Sequence, residues 1–578
     1  MQKYLIILFL LSLFSCKNTR KEELQNSPST YIQEHANDPV NWHIWSDNIF
    51  EKAKKEHKLV LISIGYSACH WCHIMQHESF QNEEIAKIMN EYYYCVKIDR
   101  EEHPDIDVHY AKLQEELTDW AGWPMHFILN HKKGVIWTGI YLKPKKWKNL
   151  IQKIAEEYKQ NPDLKLIETN IIIKKKSKNE ILNIDSINNH LKQKLDTMNG
   201  GLIPVHYSRK YPMTSLLNYL LKIYKINKNE KLGKFLKLTA NKMAMGGMND
   251  QIEGGFFRFS MDKIWHIPHF EKMLYTNTSL INFYLNAFET FKDSAYLHTA
   301  ENTTQFLREK LQSKNVLFFG SMSADQNGEG SYYLFSNNKI KDALDSDFKF
   351  AEKYYNLNKS WEYKGKYHLY CSYSDKLFAK KMNITLQEWK NKKSKIKVKL
   401  FSLRNKKTKP KIDAKLISSW NSLLLESFSN LYRITKIKKY LTGAEKIADF
   451  FISKFKEDNT IKHFYLEDRK SNANTYAEDL LYTSKAFCKL YEVNKSNKKY
   501  LNFALKIYKQ YLNNKDNFLA FPFDDRNMPS ANATEMFIVK FINKEKNTNF
   551  KIPTIDISKI NEHPEFYGNV LFEYFYED

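Results

Sequence analysis

One short stretch constrains this chain more than any other. From Lys58 the sequence reads "KLVLISIGYSACHWCHIMQHESF", an apolar run that ends in two cysteines two residues apart. "KLVLISIGY" is short, continuous and β-branched, which predicts a buried strand. "CHWCHIMQHESF" contains no Pro or Gly and predicts a helix beginning at the cysteines. Upstream, "DNIFEKAKKEH" over 47–57 has helical spacing, with Asp47 as a candidate cap. Cys69 is therefore expected at the N-terminus of a helix that follows a strand. Unpaired N–H groups and the positive end of the helix dipole stabilise a thiolate there, and His70 and His73 add positive character. The expectation is an exposed, low-pKa nucleophile at Cys69 and a resolving thiol at Cys72, one turn on.

Three chemistries share this spelling. Cys69-x-x-Cys72 is a dithiol that can close to a disulfide. With His73 it is also the C-x-x-C-H of covalent haem attachment. Cys69, Cys72, His73 and His77 together are four residues of zinc-binding type. The strand leading into the motif does not suit a small helical haem domain. Four ligands crowded into one or two helical turns do not suit a tetrahedral ion. The dithiol reading is therefore taken, with no metal and no cofactor assigned.

The following segments agree with it. "YYYCVKID", Tyr92 to Asp99, reads as a second strand. "AGWPMHFIL" places Trp123-Pro124 at the start of a third, and "KKGVIWTGIYL" supplies a Gly turn and a fourth. A C-x-x-C after the first of these strands, in this order of elements, is a thioredoxin-like arrangement. In that fold a cis-proline precedes the third strand and lies against the dithiol, and Pro124 occupies the matching place. Cys69, Cys72 and Pro124 are the candidate catalytic residues, with His70, Trp71, His73 and Trp123 in support.

The N-terminus carries an address. "MQK" is followed by uncharged "YLIILFLLSLF". That run is too short to span a bilayer, which takes about 20 residues, but it suits a signal-peptide core. Leu13-Phe14-Ser15-Cys16 then looks like a lipobox. The expectation is a lipoprotein signal over 1–16, lipidation at Cys16, a polar tether over 17–30, and a chain anchored in the bacterial envelope, periplasmic or at the cell surface. Cys95, Cys371 and Cys488 lie in apolar surroundings and are expected to be buried small hydrophobes.

Beyond the first domain the pattern becomes helical. The 578 residues contain only 17 Gly and 14 Pro, few for an all-β chain. "YLHTAENTTQFL" from Tyr296, "YLTGAEKIADFF" from Tyr440 and "YLNFALKIYKQYL" from Tyr500 share one pattern. Each follows another apolar helical stretch, such as "SLINFYLNAFETF" or "NSLLLESFSNLYRIT", and "SLLNYLLKIYKI" looks like a further hairpin start. A repeated helix pair predicts an α/α solenoid or a closed toroid. Between the hairpins, "MGGMNDQIEGGFFRFSMDKIWHIPHFEKMLYTN" concentrates Gly, aromatics, His and acids. It suits either buried aromatic packing at the mouth of a helix barrel or a concave sugar site. In a sugar site, Asp262, His269 and Glu271 would bond hydroxyls or move protons. The formal charge of +23 accompanies no nucleic-acid motif and is read as Lys spread over solvated faces.

"CHWCHIMQHESF", "KIDREEHPDID" and "GWP" together resemble a known family whose N-terminal domain is thioredoxin-like, with animal members called spermatogenesis-associated thioredoxin-like proteins. The family continues into a toroid related to six-hairpin glycosidases and sugar epimerases, and the resemblance covers most of residues 30–535. "MDKIWHIPHFEKMLY", "IDAKLISSWNSL", "TYAEDLLY" and "PSANA" match its toroid motifs. The resemblance implies a toroid pocket containing Asp262, Trp265, His269, Glu271, Asp413, Trp420, Asn421, Glu478 and Asp479. The chain departs from the family at several acids: Asp413-Ala414 replaces a paired Asp-Asp, and Glu478 replaces an Asp.

The fold expected is multidomain, α/β plus all-α: a thioredoxin-like domain over 31–165, then an α/α toroid of helical hairpins over 185–578. The function expected is a thiol–disulfide oxidoreductase acting on protein thiols or disulfides, fused to a sugar-binding toroid. The alternative is a carbohydrate-active toroid, hydrolase- or epimerase-like, with an accessory thioredoxin-like domain.

Overall fold

The computed structural model describes residues 20–162, 166–167, 181–204, 209–326, 328–357, 362–363, 365–518 and 524–576. The expected signal peptide, Cys16 and the first residues of the expected tether lie outside them. The chain divides into two units. The first holds the residues up to 174 together with Asp413–Lys415, and the second holds 175–412 and 416 onward.

In the first unit a five-stranded mixed sheet has the order β1-β3-β2-β4-β5, formed by β1 Trp42–Ile44, β2 Leu59–Gly65, β3 Tyr93–Asp99, β4 Met125–Leu129 and β5 Val135–Gly139. Every residue of β2, β3 and β4 is buried, because helices cover both faces. That burial is why the sequence shows continuous apolar runs rather than alternation. β2 pairs in parallel with β3 and antiparallel with β4. The helices are α1 Thr30–Glu34, α2 Ile49–Lys55, α3 His70–Met75, α4 Glu83–Tyr92, α5 Pro104–Thr118 and α6 Pro144–Gln160. α3 runs on into a π-helical turn, Gln76–Phe80. This is the expected thioredoxin-like arrangement, with the edge strand β1 added.

Two local expectations change. α2 is preceded by Asn48 at its N-cap rather than Asp47. The expected tether is, over 20–30, part of the folded unit. Leu24, Ser27 and Ser29 are buried, Ser29 caps α1 through Ile32 N–H, and its hydroxyl donates to Asp99 Oδ2 at 2.6 Å. Polar residues read as solvated here because their partners lie far along the chain.

The second unit is built from helix pairs: α7 Ile184–Lys194, α8 Thr214–Asn227, α9 Glu230–Met245, α10 Leu274–Phe291 and α11 Ser294–Lys310, then α12 Asn337–Leu344, α13 Phe348–Tyr354, α14 Asp375–Lys381 and α15 Leu386–Asn405 in an inserted lobe, then α16 Ser418–Thr435, α17 Lys438–Asp458, α18 Ala477–Val493, α19 Lys498–Asn514, α20 Ala531–Lys546, α21 Ile557–Glu562 and α22 Gly568–Phe575. Six of them pack side by side in a closed ring: α8 on α10, α10 on α16, α16 on α18, α18 on α20, α20 on α22, and α22 back on α8. α10, α16 and α18 are buried along nearly their whole length. α9, α11, α17 and α19 pack outside them and bury one face. The inserted lobe has its own core around Tyr354, Phe378 and Trp389.

The repeated "YL" pattern has a physical cause. Tyr296, Tyr440 and Tyr500 each stand third in an outer helix and are buried. The Tyr440 hydroxyl donates to Glu301 of the preceding outer helix at 3.4 Å, and that of Tyr500 to Glu445 at 3.5 Å. Among the described residues no helix is long and apolar enough to cross a membrane.

Candidate functional site

Cys69 and Cys72 are joined in a disulfide at the start of α3, with Cα atoms 5.3 Å apart. Cys69 is the N-cap of α3, and its sulfur accepts the Cys72 N–H at 3.2 Å. The helix-terminus expectation therefore holds, but exposure does not: Cys69 is 2% exposed and Cys72 1%. The surface here is Trp71, 38% exposed and packed on Tyr141 with ring centroids 5.0 Å apart. His70 is buried. His73 Nε2 lies 3.4 Å from Glu34 Oε2 and His77 Nδ1 bonds Gln81 Oε1 at 3.0 Å, so the two histidines turn to other partners and do not complete a four-ligand set.

The Trp123-Pro124 peptide is cis. Trp123 is fixed from below and beside: its indole N–H donates to Asp107 Oδ1 at 2.7 Å, and the Arg100 guanidinium stacks 3.9 Å from its ring centroid. Arg100 Nε in turn meets Asp107 Oδ2 at 3.2 Å. A planar cation between an indole and a carboxylate holds the loop before β4 in place.

Beneath the disulfide the sheet carries a polar row that sequence reading missed. Ser63 on β2 is paired with Lys97 on β3 and with His126 on β4, and all three are buried. Lys97 Nζ donates to Ser63 Oγ at 3.1 Å. It is boxed by the rings of Tyr31, Trp42 and Phe80, at 4.9, 4.6 and 4.5 Å. Burial pulls its ammonium down to about 7, against the attraction of Asp38. Burial, then Lys97, pushes His126 down to about 3, and neither of its ring nitrogens has a hydrogen-bond partner among the described residues. The fully buried Tyr31 phenol faces the Ser63 hydroxyl without reaching hydrogen-bond geometry. Lys97 was detectable as a lone charge inside "YYYCVKID". The aromatic box was not, because its rings come from three separate segments.

At the end of β3 a second buried cluster forms. Lys415 Nζ lies 2.7 Å from Asp99 Oδ2, 2.8 Å from Asp413 Oδ2 and 3.8 Å from Glu101 Oε2. Burial opposes the Lys415 charge, yet Asp413 and Asp99 hold its ammonium well above the usual range. Burial and then Asp413 push Glu101 up.

This cluster corrects one expectation for the toroid pocket: Asp413 belongs to the first unit. Several other candidates serve as framework. Asp262 accepts the backbone N–H groups of Ile264, His266 and Ile267 and shapes its own loop. Trp265 is fully buried, its indole donating to Asn199 O and Gly200 O. Asn421 spends its amide on backbone, accepting from Phe318 N–H at 2.7 Å and donating to the Phe318 and Ile417 carbonyls at 2.9 Å each.

The remaining candidates cluster at the N-terminal ends of inner helices. Before α10, Glu271 is buried against Arg258 Nη1 at 3.1 Å and His269 Nδ1 at 3.2 Å. In α16, Trp420 packs edge-on to Tyr275 of α10 at 4.9 Å. At the start of α18, Glu478 accepts from Ser419 Oγ at 3.0 Å, and Asp479 caps the helix through Tyr476 N–H. His463, absent from the sequence-derived set, meets both Asp479 oxygens at 3.0 Å and Glu478 Oε1 at 3.9 Å. One ligand atom from each of His463, Glu478 and Asp479 lies within 4.8 Å of the others. The carboxylates are already engaged by Ser419 and by the α18 N-terminus.

Residues 21–177 match the family described as "Protein of unknown function, DUF255". The chain is 30% identical over 477 residues to the mouse protein named spermatogenesis-associated protein 20, covering 74% of this chain and 60% of the mouse one. To the human protein of that name it is 29% identical over 456 residues, covering 70% and 58%. It therefore spans about three fifths of the length of these relatives. Among solved structures, cellobiose 2-epimerase from Bacillus thermoamylovorans B4167 aligns with a TM-score of 0.40 at 13% identity, over 65% of this chain and 84% of that one. A D-mannose isomerase aligns with a TM-score of 0.40 at 11% identity, over 63% and 82%. The chain belongs to the spermatogenesis-associated protein 20 family, with a thioredoxin-like unit followed by a many-helix unit.

Proposed function

We propose that this protein is a thiol–disulfide oxidoreductase whose working group is the Cys69–Cys72 pair, exchanging with the thiols or disulfides of other proteins. The observation that carries the reading is the placement of that pair, joined in a disulfide, at the first turn of α3, with the half-exposed Trp71 between the two cysteines in the chain. Cys69, with its sulfur at the helix N-terminus, is the attacking thiolate of the reduced form. Cys72, one turn deeper, resolves the mixed disulfide. Because both sulfurs are covered, a partner must displace part of the Trp71 face to reach them, which favours an extended segment of a protein over a small diffusing thiol.

The location belongs to the same proposal. The apolar run and Leu13–Cys16 support a lipid anchor at Cys16 and an envelope site, where such pairs work on exported proteins. Membrane fractionation of the expressed chain checks this: Cys16→Ser should release it, and an unchanged membrane fraction would argue against the anchor.

Exchange with a fluorogenic disulfide peptide tests the activity. Cys69→Ser should reduce the rate to the uncatalysed background, a loss on the order of a hundredfold or more. Cys72→Ser should trap the mixed disulfide. Exchange at the normal rate by Cys69→Ser would overturn the assignment.

A further inference from the structure

The +23 charge of the chain is not spread evenly. Between Asp375 and Lys411, a stretch that holds α14 and α15 of the inserted lobe, there are thirteen Lys and one Arg against only Asp375 and Glu388. These 37 residues carry +12, about half of the excess of the whole chain. The fold turns that charge outward. α15 opens with a capping box between Thr385 and Glu388 and buries Trp389, Ile396 and Leu400 with Tyr354 and Phe378 in the core of the lobe. Its opposite stripe, Asn391, Lys395, Val398 and Ser402, follows the helical repeat and is exposed. α14 buries Phe378 and Ala379 and exposes Lys376, Leu377, Lys380 and Lys381.

The acids nearby are already matched. Asp375 holds Lys393 at 2.9 Å, Asp347 holds Lys392 and Lys399 at 3.3 and 3.0 Å, and Glu388 accepts from Thr385 N–H. The field of the outward lysines is therefore not cancelled from within the hairpin. Set among them are three aliphatic side chains in water: Leu377 is 52% exposed, Leu386 38% and Val398 63%. Their exposure gives up burial that the fold could have used. Lysines interleaved with aliphatic side chains fit one kind of surface. The ammonium groups attract lipid phosphates as point charges on flexible stems, and the aliphatic tips enter the boundary between headgroups and acyl chains. A nucleic-acid surface would offer arginine forks and exposed rings to the bases. Here the single Arg404 is buried on Asp250 and Glu253, and Trp389 lies in the core.

We propose that the α14–α15 hairpin is a docking surface for an anionic phospholipid bilayer. This goes beyond the dithiol reading, and it rests on the envelope reading only for where such a bilayer is met. A lipid anchor and a polybasic surface are attachments of different kinds. The lipid holds at any salt concentration. The hairpin contact weakens as salt shortens the Debye length, from about 10 Å at 0.1 M to about 3 Å at 1 M. A wash in about 1 M salt therefore separates the two, and the Cys16→Ser fractionation above reads the anchor alone after that wash.

The test is co-sedimentation of the full chain carrying Cys16→Ser with vesicles of phosphatidylcholine, alone or with about a third phosphatidylglycerol. Neutral vesicles give the contribution of the apolar N-terminus. Anionic vesicles at low salt should bind about a hundredfold or more tighter, and about 1 M salt should bring them back to the neutral level. Lys376→Gln, Lys380→Gln, Lys390→Gln and Lys395→Gln together should remove most of that gain, at about fivefold per lysine. All four side chains are exposed, and an unchanged unfolding midpoint checks that the lobe is intact. Lys231→Gln, Lys234→Gln, Lys438→Gln and Lys446→Gln, exposed on α9 and α17, remove the same charge elsewhere and should leave most of the gain. Equal losses in the two sets would mean diffuse attraction by net charge and would overturn the proposal, as would equal binding to neutral and anionic vesicles. A hairpin variant that loses affinity for a DNA duplex while keeping it for anionic vesicles would also overturn it. Tight, hairpin-dependent binding to anionic vesicles by a chain found in no membrane fraction of the cell would leave the docking surface standing and overturn the envelope reading instead.

Discussion

At the residue scale the first unit stores ionisable groups where water cannot reach them, and this makes its stability depend on pH in a definite direction. His126 is fully buried and its pKa falls from 6.5 to about 3. Below pH 6.5 the unfolded chain takes up a proton that the folded chain refuses. Stability from this residue is complete above pH 6.5 and is lost as pH falls towards 3, up to roughly 3 kcal/mol by pH 4. His126→Leu should flatten that part of the stability–pH curve, measured by denaturant unfolding between pH 4 and 7. An unchanged slope would mean that His126 finds a partner when charged. Some of this region was legible in the sequence: two cysteines after an apolar run marked the disulfide pair, and the cis bond at Pro124 was expected from its place before a strand. Lys97, Ser63 and Tyr31 were not legible, because a lone lysine in an apolar run carries no sign of the rings that will enclose it. The same limit applies to Asp413, read as a toroid acid until Lys415 and Asp99 were seen beside it.

At the scale of elements, the start of the inner helices shows a device that recurs. Asn277 is fourth in α10 and Asn421 fourth in α16. Asn277 accepts from Phe256 N–H at 2.7 Å and donates to the Phe256 and Met273 carbonyls, the same three bonds that Asn421 makes to Phe318 and Ile417. Each amide clamps an incoming loop to the strand that precedes its helix: Lys272–Met273, paired with Ser321–Met322, for α10, and Leu416–Ile417, paired with Phe464–Tyr465, for α16. Replacing either Asn by Ala leaves buried backbone groups without partners and should cost about 1–3 kcal/mol, read as a shift in the denaturant midpoint with an unchanged slope. A loss below the error of the measurement would mean that the loops are held by other contacts. The pattern was available in the sequence as "MLYTNTSL" beside "ISSWNSLL". It was obscured because Asn421 drew attention as a ligand group, while its amide is saturated by backbone. The helix pairs themselves were legible, since buried inner helices and one-sided outer helices leave different apolar patterns.

At the scale of the whole molecule, the chain joins a thioredoxin-like unit to a ring of helices. The ring closes by α22 lying on α8, where Gly568 brings its backbone against Ser215 and Leu216, too close for a side chain. Closure between such distant segments could not be read from local periodicity. The account's central claim concerns the first unit, that Cys69 and Cys72 open and close as one redox pair. The direct measurement is intact mass after thiol alkylation across a series of glutathione ratios. The account predicts that Cys69 and Cys72 pass together between no tag and two tags, with a single midpoint, while Cys95 and Cys488 stay untagged in the folded chain because they are buried and their thiols are pushed up. Tags that appear on one cysteine of the pair without the other, or a pair that neither opens nor closes at any ratio, would contradict it.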